Sequence, residues 1–172
     1  MFLQRFKKNS IRNYINKILN SRNMPVSDNK IESVGVILNH DEFNEHEDIR
    51  LFLKGIGIME NKIKFITFVT EKKLAPNTWD SYFSPKDFGW NGKIKNIELQ
   101  EFIDIKFDAL ISYYKEDNLE LNVATALSKA NFKIGISKND ERLNDFIIDV
   151  KPDEIIIFKQ ELLKYLKVLN KI

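Results

Sequence analysis

The chain has 172 residues, 43% hydrophobic and 30% charged, a balance that suits a soluble globular domain with a core of its own. It holds no cysteine, which excludes disulfides, thiolate metal sites and a cysteine nucleophile. Its net charge of +2 hides an asymmetry: six basic residues and no acid precede Asp28, so 21 Lys and Arg face 25 acids in the remainder. No apolar run approaches the roughly 18–20 residues of a membrane span. The start lacks the unbroken apolar core of a signal peptide, and a cytoplasmic location is expected.

Residues 1–24 are predicted as a basic amphipathic helix, and 25–172 as a single Rossmann-like α/β domain. In the helix, Leu3, Phe6, Tyr14, Ile18 and Leu19 fall near one face, with Phe2, Ile11 and Ile15 flanking it. Two roles are open to it. It packs its apolar side on the body, or it docks on an anionic surface (membrane, RNA or acidic protein) through Arg5, Lys7, Lys8, Arg12 and Lys17. Met24-Pro25 breaks the helix, and 25–30 reads as a polar linker.

Ser33 to Leu38 is nearly all apolar, as a central parallel strand buried on both faces should be, and Gly35 within it predicts a close helix approach. The turn Asn39-His40-Asp41-Glu42 leads to a helix marked by Ile49, Phe52, Leu53 and Ile56, with Gly55 and Gly57 as stop signals. Lys62 to Val69 is a second strand. Residues 70–96 are irregular, broken by Pro76, Pro85, Gly89 and Gly92 and crowded with Trp79, Tyr82, Phe83, Phe88 and Trp90. A short edge strand is read at Tyr82–Ser84, and a short helix at Ile97–Ile103.

Phe107 to Tyr113, the helical spacing over 118–130 and Phe132 to Ile136 make a βαβ unit, whose crossover has to be right-handed. A last strand is expected at Asp145–Asp149. Pro152 suits the first position of a terminal helix that carries Ile155, Phe158, Leu162, Leu166 and Leu169 on one side. The fold class is therefore α/β: a three-layer Rossmann-like sandwich around a mostly parallel five- or six-stranded sheet, with outer N-terminal and C-terminal helices.

Ligands of such sheets bind beyond the carboxyl ends of the strands, where strand order reverses. That rule brings Asn39, His40, Lys115 and Lys138 together as candidate ligand-binding residues, with His40 as an acid or base and the lysines as anion holders. No glycine-rich phosphate loop and no nucleophile elbow supports them. His40 and His46, the two histidines, are read as solvated residues at a helix start, and no metal or cofactor is expected. In Phe88-Gly89-Trp90-Asn91-Gly92-Lys93, Trp90 and Lys93 can stack on and pair with a ligand, but anchoring of the loop by its aromatics is favoured.

Lys86-Asp87, Trp90, Gly92-Lys93, Phe107-Asp108, Leu110-Ile111, Ser128-Lys129-Ala130 and Gly135 resemble a small uncharacterised Bacteroidota domain family. That resemblance spans nearly the whole chain and implies no activity. Residues 107–136 alone also look like the N-terminal half of heptosyltransferase-type glycosyltransferases, which implies a lone Rossmann-like domain without the transferase chemistry. The function expected is a non-enzymatic interaction module, its basic helix (with Trp90 and Lys93) meeting a protein, a ribonucleoprotein or the inner membrane face. The alternative is a protein that binds a nucleotide, sugar nucleotide or other phosphorylated ligand at the strand ends.

Overall fold

The computed structural model describes residues 2–23, 25–71 and 80–172; Met24, Pro76 and Trp79 lie outside the described residues. In chain order come α1 (Phe2–Ser21), β1 (Val34–Asn39), α2 (His46–Gly55), β2 (Ile63–Phe68), β3 (Ser81–Phe83), α3 (Ile97–Asp104), β4 (Ala109–Tyr113), α4 (Leu119–Leu127), β5 (Phe132–Gly135), β6 (Phe146–Ile147) and α5 (Ile155–Val168). The six strands form one all-parallel sheet in the order β3-β2-β1-β4-β5-β6. This is the doubly wound order, with its reversal between β1 and β4.

Alternation along each strand builds two cores. Val34, Val36 and Leu38 of β1 join α2 and α5 on one face, through Ile49, Leu53, Phe158 and Leu162. Ile37 points the other way, to α3, α4 and α1. With α2 and α4 on opposite faces and the sheet growing in opposite directions, the β1-α2-β2 and β4-α4-β5 crossovers share one hand, as parallel units require. The central pair is pinned in register by a latch: the Asp108 carboxylate accepts from Ser33 N–H at 2.8 Å, Ser33 Oγ at 2.8 Å and Glu32 N–H at 3.0 Å.

Three readings of local detail change. The buried stripe of α1 is Ile11, Ile15 and Leu19, while Leu3 and Phe6 are exposed, because the helix overhangs the body at its start. Pro152 lies in a turn; α5 begins at Ile155, after the Glu154 side chain has accepted from Lys151 N–H at 2.7 Å. In the 88–93 loop Phe88 is the anchor, buried against Phe83, and Trp90 faces solvent.

A lysine sits inside β5. Lys133 is 1% exposed, and its Nζ donates to the carbonyls of Thr125 at 2.6 Å and Ala126 at 3.3 Å, capping the C-terminal end of α4. Burial, with repulsion from Arg22, pushes its ammonium down from 10.5 to about 7, against the pull of Asp145. Between about pH 7 and 10 the unfolded chain therefore holds the extra proton, and stability rises with pH by up to ~1.4 kcal/mol per unit. Above about pH 10 the sign reverses, because burial raises the hydroxyls of Tyr113 and Tyr114 and the unfolded chain loses those protons first. Urea titrations across this range are expected to show that maximum, and Lys133→Met to flatten the rise. An equal rise in the variant would place its origin elsewhere.

Candidate functional site

Two surfaces carry the residues singled out by sequence. The first is the carboxyl edge of the sheet, where the loops after β1, β4 and β5 converge. Asn39 is buried at the end of β1, and its Oδ1 accepts from Asp41 N–H at 3.2 Å to shape the turn. The Lys115 ammonium donates to the carbonyl of Ile136 at 2.9 Å and to Asp149 Oδ1 at 2.5 Å. Lys138 meets the other oxygen, Asp149 Oδ2, at 2.8 Å. The two lysine bonds hold the Asp149 carboxyl down to about 2. Lys115 and Lys138 are thus brought together, by a carboxylate of this chain.

Glu42 closes the reversal point itself. Its carboxylate reaches from the β1 loop to the loop after β4 and accepts from Lys115 N–H at 2.9 Å, Glu116 N–H at 2.7 Å and Asn39 Nδ2 at 3.3 Å. Paired backbone N–H groups at such a point are where related sheets hold a ligand's phosphate. Here they hold a side chain. Glu42→Ala is expected to cost about 1–3 kcal/mol by chemical denaturation, the price of two N–H groups left without their acceptor. Glu42→Gln keeps an acceptor and should lose less; equal losses would show that the contact contributes through packing alone.

The histidines part company. His46 is buried, with Nδ1 3.4 Å from Asp80 Oδ2, and Arg50 donates to Asp80 Oδ1 at 3.1 Å. Burial lowers its pKa against the opposing charge of Asp80, which corrects the solvated reading. His40 is half-buried, and its Nδ1 has no hydrogen-bond partner among the described residues, Lys115 and Lys138 included. Among those residues there is also no group of three or more metal-ligating side chains. A polar crevice of about 210 Å³, lined by Arg12, Asn16, Asp117, Asn122, Asn139 and Asp140, opens between α1 and the strand-end loops.

The second surface joins α1 to the loop at 84–96. Lys7 Nζ donates to the carbonyl of Phe88 at 2.7 Å, Ser10 Oγ pairs with Asn91, and Tyr14 lies against Gly92. Asn91 (φ 54°) and Gly92 (φ 69°) turn the loop through left-handed backbone, and a Cβ on Gly92 would stand 2.8 Å from the Tyr14 ring. Leu3 continues the row Lys7, Ser10 and Tyr14 toward the helix start; Phe6 stands beside it at i+3, and Phe2 lies one turn before Phe6. Phe2 is 80%, Leu3 72%, Phe6 61% and Trp90 52% exposed. A groove of about 620 Å³ lies beside Trp90, lined also by Tyr14, Lys93, Ile103, Asp104 and Lys129, while Phe2, Leu3 and Phe6 stand outside its lining.

The two segments that carry these apolar groups are rich in cations, although Asp104 of α3, paired with Lys129 at 2.6 Å, also lines the groove beside Trp90. Residues 2–23 and 84–96 hold nine Lys and Arg and one acid, Asp87, which is buried beneath Ser84. The rest of the chain is left with 18 Lys and Arg against 24 acids. Arg5, Lys8, Lys17 and Lys93 are exposed; Lys7 is committed to the Phe88 carbonyl, and Arg12 looks into the crevice. The meeting of the two segments, some eighty residues apart, was not legible in the sequence.

No helix among the described residues is long and apolar enough to cross a membrane. No curated protein and no solved structure matches the chain in the comparisons. One family model does, from Lys7 in the second turn of α1 to Leu169 just after α5, and so takes in every strand of the sheet. The chain therefore belongs to the family of unknown function DUF6913, matched over residues 7–169.

Proposed function

We propose that this protein is a non-catalytic docking module that works from its second surface, the overhanging start of α1 and the Trp90 loop. The observation that supports it is the coincidence of four exposed apolar side chains with many cations on two distant segments, which the fold joins through Lys7, Ser10 and Tyr14. Apolar groups so exposed, on segments this rich in cations, suit a contact surface better than a solvated one. The strand ends suit a ligand less well, since Glu42 fills the reversal point and Asp149 already pairs both lysines. The second reading, a small-molecule site there, rests on the crevice beside Arg12.

The test uses the full chain with Phe6→Ser and Trp90→Ala, both at exposed positions where substitution changes stability by about 0.5 kcal/mol or less. The variant is expected to keep the melting curve of the natural protein and to lose its distribution between free protein and larger complexes or membranes in fractionated cells. An unchanged distribution overturns the docking reading.

A further inference from the structure

Resting on that docking reading, we infer that the partner is an anionic lipid bilayer, with Phe2, Leu3, Phe6 and Trp90 seated at the headgroup level. Phe2, Leu3 and Phe6 stand exposed on the overhanging start of α1, outside the groove that Trp90 lines, and so fit a deformable surface better than a cleft. Leucine and phenylalanine at a helix start, with an indole beside them, are side chains that enter the lipid interface. The aliphatic stems of neighbouring lysines lie along that interface, with their ammonium groups at the phosphates. A nucleic-acid surface uses aromatic faces and makes no use of Leu3.

Charge supports the same occupant. The first turn of α1 carries no acid that would repel lipid phosphates. The remainder of the chain, with its excess of acids, is repelled by the same membrane, which fixes the face that meets it.

Full-length protein sedimented with phosphatidylglycerol–phosphatidylcholine vesicles tests this. Binding is expected with phosphatidylglycerol and not with phosphatidylcholine alone, and it should weaken as salt is raised. Arg5→Glu and Lys93→Glu should each lower the partition by roughly fivefold or more, the scale of one cation at an anionic surface. Phe6→Ser should lower it without changing its salt dependence. The indole emission should shift to the blue on binding, and Trp90→Phe should remove that shift. Absence of binding at low salt, equal binding to neutral vesicles, or indifference to Phe6 overturns the inference. If vesicles fail while the cellular distribution still depends on Phe6 and Trp90, the bilayer falls and the docking reading stands; if both fail, both fall.

Discussion

Removing residues 1–22 is expected to leave a chain that aggregates or collapses without fixed packing. Ile11, Ile15 and Leu19 are 2%, 6% and 7% exposed, and burial of side chains of this size is worth about 2–3 kcal/mol each. Together they amount to about 6–9 kcal/mol, which is comparable with the whole stability of an ordinary domain, ~5–15 kcal/mol. Deletion also breaks the Arg22–Asp145 ion pair at 2.8 Å and the bonds from Arg142 to Asn16 and Asn20. It uncovers α4 and the Gly92 turn at the same time. Near-ultraviolet circular dichroism and dye binding on the truncated chain measure the result. Ile15→Ala alone should cost about 2–4 kcal/mol. A truncated chain with a native spectrum and an undiminished melting temperature would show instead that α1 is a detachable arm.

Gly35→Val is expected to be the most damaging single substitution in the sheet. Gly35 lies in β1 between its two partners, paired with Lys64 and Leu110, and on the face toward α3. A Cβ there would stand 2.7 Å from two carbons of the Phe107 ring and 3.0 Å from Phe102. Those rings pack on each other at 5.2 Å between centroids and are themselves buried, so neither has room to withdraw. The cost should reach about 3 kcal/mol or more, at the upper end for overpacking, because valine adds two further methyl groups. Gly35→Ala meets the same rings with less volume and should fall between. Equilibrium urea curves for the three proteins check the order; a Gly35→Val protein within about 1 kcal/mol of the natural one would mean that Phe107 moves freely.

Periodicity carried most of the fold. The apolar runs at 33–38, 62–69 and 107–113 could be read as buried strands because each is covered on both faces, and the helical spacing at 119–127 lay between two of them. The likeness of 107–136 to one half of certain glycosyltransferases has the same root, since β4-α4-β5 is a unit that any doubly wound sheet repeats. Helix α1 was harder. Its apolar residues run around more than one face, and only the position of the body decides which are covered. Lys133 interrupts the apolar run at 132–136, and only α4, placed above it with its last carbonyls open, explains its burial. Glu42 belonged to an expected turn, but its partners at Lys115 and Glu116 lie more than seventy residues away. Trp90 and Phe88 share one aromatic loop, and which ring goes inward is set by Phe83 across the gap.

The cover of α1 also has a place in time. Ile11, Ile15 and Leu19 are shielded by α4 and by the loop at 84–96, parts of the chain made roughly seventy to a hundred residues later. At ~5–20 residues per second of synthesis, that is an interval of several seconds or more, whereas a helix forms in about a microsecond. The nascent chain therefore exposes every apolar and cationic residue of α1 long before its body exists to bury Ile11, Ile15 and Leu19. Whatever meets the ribosome's exit first, a chaperone or a lipid surface, meets all of α1.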